Sequence, residues 1–210
     1  MELKVVFKKN VVLIGLILSV LLLTIAGFNY PGGSPNNTNS IGYSFTENYI
    51  SNLLEYKALN GLDNDYRLFA VFGVVLMGLT SGLAFVRLSL KVDLKKFSVV
   101  FKDLGLLLIL LSSLITIPSL HDLMVTLSSI VTLLILFYVT ILLIKSRLIL
   151  FKYISVLFLI CFYGACYMYF TKTGLEYLPL MQKIIHVLEI IWILGLEYFT
   201  VKDDFEHIKN

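Results

Sequence analysis

Six long apolar runs constrain this chain more than any other feature of its sequence. A helix that crosses a bilayer needs about 20 mostly apolar residues and satisfies its own backbone hydrogen bonds inside the hydrocarbon. Charged residues make up only 15% of the 210 residues, against about 25% in soluble domains. We therefore predict an all-α, polytopic membrane bundle forming one domain, with spans at 11–28, 68–86, 104–120, 123–144, 153–170 and 178–201.

The third and fourth runs form one stretch from Leu104 to Ile144, interrupted by the polar pair His121-Asp122. The stretch is either a tight hairpin between two spans or a single long broken helix. As one helix it would be about 60 Å long, which is twice the hydrocarbon thickness of a bilayer. We therefore predict two spans, with the chain turning at 118–122.

The distribution of basic residues gives an orientation. With the N-terminus in the cytoplasm, four of the 17 Lys and Arg residues lie outside, namely Lys57, Arg67, Lys172 and Lys183. The other thirteen lie inside, including Lys4, Lys8, Lys9 and Lys209 near the chain ends. This asymmetry follows the positive-inside rule and predicts a multi-pass protein of the cell (plasma) membrane with both termini cytoplasmic. The net charge of +3 is too small to indicate nucleic acid as a partner.

The first outer loop, residues 29–67, is unusually long for a connection between helices, and such loops usually carry function or local structure. Its second half places Phe45, Tyr49, Leu53 and Tyr56 at helical spacing, and Ser44 followed by Glu47 matches a capping box. We predict a short amphipathic helix over 43–56, lying at the outer interface or over the mouth of the bundle.

Ionisable side chains inside apolar spans are costly and are candidates for function. The last span carries His186 and Glu189 on one helical face, with Gln182 one turn closer to the outside. On the same side of the membrane lie the polar residues of the loop and of the third–fourth hairpin. We predict one outward-facing pocket that binds a lipid or small molecule, or contacts a partner, formed by Asn48, Ser51, Asn52, Arg67, His121, Asp122, Gln182, His186 and Glu189.

Other interpretations of the same polar residues stay open. In a purely structural one, Glu189 pairs with Arg67 or His121 and holds the helices in register. In another, His121, His186 and Glu189 bind zinc in a membrane hydrolase that acts on a lipid, although the chain has no HExxH motif. A small transporter is a third, although the sequence shows no internal repeat or paired broken helices. Composition alone does not decide whether the chain is an enzyme.

The segment 49–53, Tyr-Ile-Ser-Asn-Leu, is followed by an Asn/Asp-rich turn and by Arg67-Leu68-Phe69 opening a span. This arrangement resembles the six-helix integral membrane family called domain of unknown function 998, and the layout is also similar to the DRAM/Sfk group. The resemblance implies a six-helix membrane fold over most of the chain and implies no reaction. The chain departs from the family motif at Asn52, where Asp is usual, and at Leu54, where Gly is usual.

Overall fold

The fold is a bundle of α-helices, seen in a computed structural model that describes residues 2–208, with side chains from Asn10 onward. The side chains of Lys4, Lys8 and Lys9, and the whole of Lys209, which enter the charge count, lie outside the described part. The helices are α1 (Glu2–Phe28), α2 (Arg67–Ser89), α3 (Lys95–Leu114), α4 (His121–Lys145), α5 (Ile149–Thr171), α6 (Leu178–Tyr198) and the short α7 (Asp203–Glu206).

Six of these helices are long and apolar enough to cross a membrane, which confirms the prediction of an all-helical architecture with six such elements. The described part contains no β-strand, only two isolated bridges within the segment 32–63. We call the end of the bundle that carries residues 29–66 the loop end, and the opposite end, where most Lys and Arg lie, the basic end.

Helix α3 is displaced from its predicted position. It begins at Lys95 and ends at Leu114, whereas the apolar run alone predicts residues 104–120. The first turns are polar but helical, so hydropathy misses them. The helix ends early because Pro118 disfavours helical geometry in the residue before it, and Ile117 is extended at φ −83° and ψ 114°. The turn to α4 therefore occupies 115–120 instead of 118–122.

Helix α2 is central to the packing, since it contacts α1, α3, α6 and the long loop. Its approach to α3 depends on glycine: a Cβ atom at Gly82 would lie 2.6 Å from the Gly105 carbonyl oxygen and 2.5 Å from Ile109. Small residues at helix contacts let backbones approach closely, which is a common way of packing helices in membranes. The α2–α3 pair is thus fixed by the absence of side chains at its contact.

The long loop, residues 29–66, is ordered but is not the predicted helix. Only Ile50–Leu54 forms a 3-10 turn, and the residue before it, Tyr49, is extended. The predicted capping box is wrong, because the Ser44 N–H donates to Asn48 Oδ1 at 2.8 Å and Glu47 instead accepts a bond from Ser34 Oγ at 2.6 Å. Polar side chains that bond to nearby backbone compete with helix formation. In this loop their hydrogen bonds replace the predicted helix.

The basic end of α6 is held by cations from the α2–α3 connection. The Lys91 ammonium donates to the carbonyl oxygens of Leu196 and Glu197, at 2.8 and 2.6 Å, and to that of Thr200 at 3.1 Å. The Leu196 and Glu197 carbonyls belong to the last turn of α6, where carbonyls lack partners within the helix, so Lys91 acts as a C-terminal cap. Burial lowers the pKa of Lys91, against the opposite effect of the nearby Glu197 charge.

Ion pairing and apolar packing close the same end. Arg87 Nε lies 2.6 Å from Glu197 Oε1, and the Glu197 side chain is only 2% exposed. After α6 the chain turns back so that Phe205, on α7, and Ile208 join the main hydrophobic core. The basic end of α6 is therefore held both by an ion pair and by apolar packing.

Candidate functional site

Asn48 organises the part of the long loop that faces the bundle. Its side chain is fully buried, and its amide donates to the Gly33 carbonyl at 2.8 Å while Oδ1 accepts the Ser44 N–H. The Asn48 carbonyl oxygen accepts the Tyr43 hydroxyl at 3.2 Å. Burial raises the pKa of the Tyr43 hydroxyl, which keeps this donor protonated at neutral pH. The Asn48 side chain thus joins the segment at Gly33 to the turn that begins at Ser44.

The loop is attached to the first turns of α6. Gln182 Oε1 accepts the Ile50 N–H at 2.9 Å, and Tyr49 donates its hydroxyl hydrogen to the Leu175 carbonyl at 3.3 Å. The Lys183 ammonium donates to the Asn48 carbonyl and lies 5.2 Å from the centre of the Tyr43 ring. From the sequence, Lys183 counts only as one of the four basic residues outside. In the structure it is 6% exposed and lies buried beneath the loop.

Deeper in α6, Glu189 connects two side chains through its two oxygens. Ser81 of α2 donates its hydroxyl hydrogen to Oε1 at 2.8 Å, and His186 Nδ1 lies 3.1 Å from Oε2. From Leu178 to Glu189 the helix rises about 16 Å, roughly half its length of about 31 Å. A carboxylate, an imidazole and a hydroxyl therefore meet near the middle of two apolar helices.

The remaining exposure of Glu189 is on the inward face of α6. At about 100° per residue, Glu189 lies about 40° from both Ile185 and Ile193, which are 7% and 0% exposed. The outward face carries Ile184, Val187 and Ile191, each about 140–200° away and at least 42% exposed. The Glu189 side chain is nevertheless 20% exposed, and that of His186 is 34% exposed. The partly exposed surface of His186 and Glu189, a pair that we call the dyad, therefore lies away from the most exposed apolar face of α6.

Aromatic side chains form a buried layer next to the dyad, toward the basic end. Trp192, one turn beyond Glu189, is 1% exposed and packs against Phe85 and Phe158 with ring centres 5.7 and 5.4 Å apart. The indole N–H donates to Ser155 of α5, so the ring is fixed by a hydrogen bond as well as by packing. Gln182 lies on the same helical face two turns in the opposite direction, beneath the loop. The dyad sits between this aromatic layer and the loop.

Not all nine predicted pocket residues come together. Asn48 and Gln182 meet at the loop–α6 contact, and His186 and Glu189 meet at the α2–α6 contact. Ser51 and Asn52 both lie in the 3-10 turn Ile50–Leu54, where Asn52 Oδ1 accepts the Tyr49 N–H at 2.8 Å. The other three lie elsewhere, namely Arg67, His121 and Asp122.

Arg67 and the α3–α4 turn have local partners. Arg67 donates to the Leu54 carbonyl and stacks 4.0 Å from the centre of the Tyr56 ring. His121 Nδ1 lies 2.8 Å from the Ile115 carbonyl oxygen, at the start of a helix that packs against α3 and α5. Among the described residues, neither Arg67 nor His121 pairs with Glu189, so that structural interpretation is wrong for both. Glu189 binds Ser81 and His186 instead.

The predicted zinc ligands are not assembled. Among the side chains of residues 10–208, no three from His, Cys, Asp or Glu are placed so that they could hold one metal ion, and His121 is apart from His186 and Glu189. Two grooves elsewhere on the described surface are mostly apolar and are lined by none of the nine predicted residues. One, of about 560 Å³, lies between α4 and α5 beside Phe137 and Tyr163; the other, of about 280 Å³, lies beside Thr80.

Sequence reasoning missed Ser81 and the role of Lys183. A serine in an apolar helix has no distinctive signal, because such residues usually bond to their own backbone. Lys183 had a signal, since it lies three residues before His186 and inside the predicted last span. No family model, curated protein or solved structure matches this chain. The resemblance to the domain of unknown function 998 family therefore stays a prediction.

Proposed function

We propose that this chain is a multi-pass protein of the cell membrane, with both termini in the cytoplasm, that binds a small polar molecule or a lipid headgroup from outside. The proposed site is the His186–Glu189 dyad with Ser81, between the loop and the aromatic layer at Trp192. The orientation rests on the asymmetry of thirteen Lys and Arg residues against four. In this orientation the loop end faces outward.

One observation carries the proposal: Glu189 stays partly exposed on a helical face where its neighbours are buried. A carboxylate near the middle of a membrane helix is costly, and one that serves only to hold helices together would be enclosed by its partners. Here both Glu189 oxygens have partners, while His186 Nε2 has none among the described residues. A partly exposed carboxylate next to an unused ring nitrogen is a feature of a binding site.

The hydrogen-bond order argues for binding over acyl-transfer chemistry. In a serine hydrolase the imidazole accepts the serine proton, and the carboxylate orients the imidazole from its other side. Here Ser81 donates to the carboxylate, and the carboxylate lies between the serine and the imidazole. Nothing in this order activates the Ser81 oxygen as a nucleophile. We therefore favour a binding protein, and the hydrolase and transporter remain hypotheses without a supporting contact.

Cysteine accessibility tests whether the site opens outward. In a background with Cys161→Ala and Cys166→Ala, His186→Cys and Val187→Cys would each be treated in intact cells with a membrane-impermeant, thiolate-reactive reagent. Val187 is the matched control, because it is the neighbouring residue and is 54% exposed on the outward face of α6. Thiolates form in water and not in hydrocarbon, so we expect labelling of His186→Cys and little of Val187→Cys.

Two results would overturn the proposal. Labelling of both positions at similar rates would mean that the faces of α6 are assigned wrongly, and labelling of His186→Cys only from the cytoplasmic side would reverse the orientation. Binding itself is measured by native mass spectrometry of the purified full chain. We expect a bound small molecule or lipid to be retained by the unmodified protein and lost from Glu189→Gln, which is isosteric and removes the charge.

A further inference from the structure

The charge of Glu189 is balanced by no fixed cation in the described part of the chain. His186 is its only ionisable partner within ion-pair distance, at 3.1 Å. Lys183, one turn nearer the loop end than His186, donates to the Asn48 carbonyl instead. Glu197, two turns deeper, is paired with Arg87.

The helices packed against α6 supply no other charge at this depth. From α2 only the neutral Ser81 reaches Glu189, and its two arginines lie at opposite ends of that helix, with Arg67 bound to Leu54 and Arg87 to Glu197. The part of α1 from 10 to 28 contains no Asp, Glu, Lys, Arg or His. In α5 the one such residue is Lys152, in the first turn at the basic end, and its other titratable groups are tyrosines and cysteines.

Hydrogen bonding then defines two states of the dyad. An ionised carboxylate only accepts, so Oε1 takes the Ser81 hydrogen and Oε2 takes a hydrogen from His186 Nδ1. With a neutral imidazole, Nε2 carries a lone pair and the site has one negative charge. With a protonated imidazole, the pair is neutral overall and Nε2 becomes a donor.

We propose that the ligand of this site is an organic ammonium ion and that it competes with a proton on His186. This inference rests on the proposed binding function and names its ligand class. The neutral-imidazole state offers an anion and a lone pair, which suit a cation with N–H donors. A protonated His186 already balances Glu189, so an arriving ammonium ion must displace that proton to solvent. One proton is released for each cation bound to the protonated form.

The surroundings favour an organic ammonium over a metal ion. One carboxylate and one imidazole are too few ligands, and no third His, Cys, Asp or Glu of the described residues joins them. One turn from the dyad toward the basic end lie Trp192 and Phe85, whose packed rings are 1% and 5% exposed and make these surroundings apolar. Apolar surroundings accommodate the alkyl substituents of an organic ammonium ion, whereas a metal ion that keeps its water ligands gains less there.

The test uses ethylammonium chloride as probe, with sodium chloride at equal ionic strength as reference, and reads the unfolding temperature of the purified full chain. At pH 8 we expect ethylammonium to raise the unfolding temperature and sodium not to. At pH 5.5 the apparent affinity should be lower than at pH 8, because a proton on His186 competes with the cation. Glu189→Gln should abolish the effect at both pH values. His186→Gln should keep it and lose its pH dependence.

The outcomes separate this inference from the proposed function. No shift with ethylammonium at pH 8, or an equal shift in Glu189→Gln, would overturn the ammonium site. If His186→Cys is nevertheless labelled from outside and a different molecule is retained, the proposed binding function stands and only the ligand class fails. An ethylammonium effect with the same size at both pH values would overturn the proton competition. Each variant's unfolding temperature without probe shows whether it is folded.

Discussion

Replacing Asn48 with alanine should open the long loop without unfolding the bundle. The fully buried Asn48 amide satisfies the Gly33 carbonyl and the Ser44 N–H, each at 2.8 Å. A buried polar group left without a partner costs about 1–3 kcal/mol, and the half-buried Ser44 amide can recover part of its loss from water. We therefore expect the loop to lose about 2–4 kcal/mol of local stability. That corresponds to a rise of roughly 30-fold to several hundred-fold in the population of the open loop.

The effect should be local because the loop has its own small core. Tyr30, Leu53, Leu54 and Ala58 pack with Ala26 and Ala70 in a cluster separate from the main one. Hydrogen-exchange mass spectrometry of the purified protein would report the amides of the loop and of the helices in one experiment. We expect faster exchange in peptides covering 33–64 and unchanged exchange in α2 and α6 beyond their first turns, which contact the loop.

Asn39→Ala is the matched control for Asn48→Ala. Asn39 is in the same loop and exposed, and its side chain takes part in no hydrogen bond among the described residues. Its exchange profile should match that of the unmodified protein. Equal loop exchange in the two variants would refute the assignment of Asn48 as the organising residue. Accelerated exchange throughout the helices of Asn48→Ala would refute the independence of the loop from the bundle.

Two further variants test the packing, each by thermal unfolding in detergent. Gly82→Ala should destabilise the protein by about 1–3 kcal/mol, because the added Cβ would lie 2.6 Å from the Gly105 carbonyl oxygen. The control Gly164→Ala adds a Cβ with nothing within 4 Å, so it should be neutral or stabilising by up to about 1 kcal/mol. Equal effects of the two variants would contradict the close α2–α3 approach. Arg87→Met should cost about 3 kcal/mol by leaving the Glu197 charge buried, and adding Glu197→Gln should recover part of it. A double variant no more stable than Arg87→Met would show that the charge is not the cause.

The number and type of the long helices followed from the sequence, and their ends followed less well. Apolar runs report the residues that avoid water, so they located six helices but missed the polar first turns of α3 from Lys95. The predicted loop helix failed for a different reason. Phe45 and Tyr56 match a helical period with Tyr49 and Leu53, yet they are 61% and 68% exposed, because Asn48 bonds the backbone of distant loop residues. Such a bond between residues 33 and 48 has no signature in a local pattern.

The sequence by itself determined that this protein has six long apolar helices, that its basic residues are mostly at one end, and that His186 and Glu189 share a helical face. These properties depend on composition and on the helical repeat, which are local. Only the tertiary structure decided which polar groups meet. It separated His121 and Arg67 from Glu189, brought Ser81 to it from another helix, and buried Lys183 beneath the loop. Those contacts join residues far apart in the chain, and their geometry depends on how closely the helices pack.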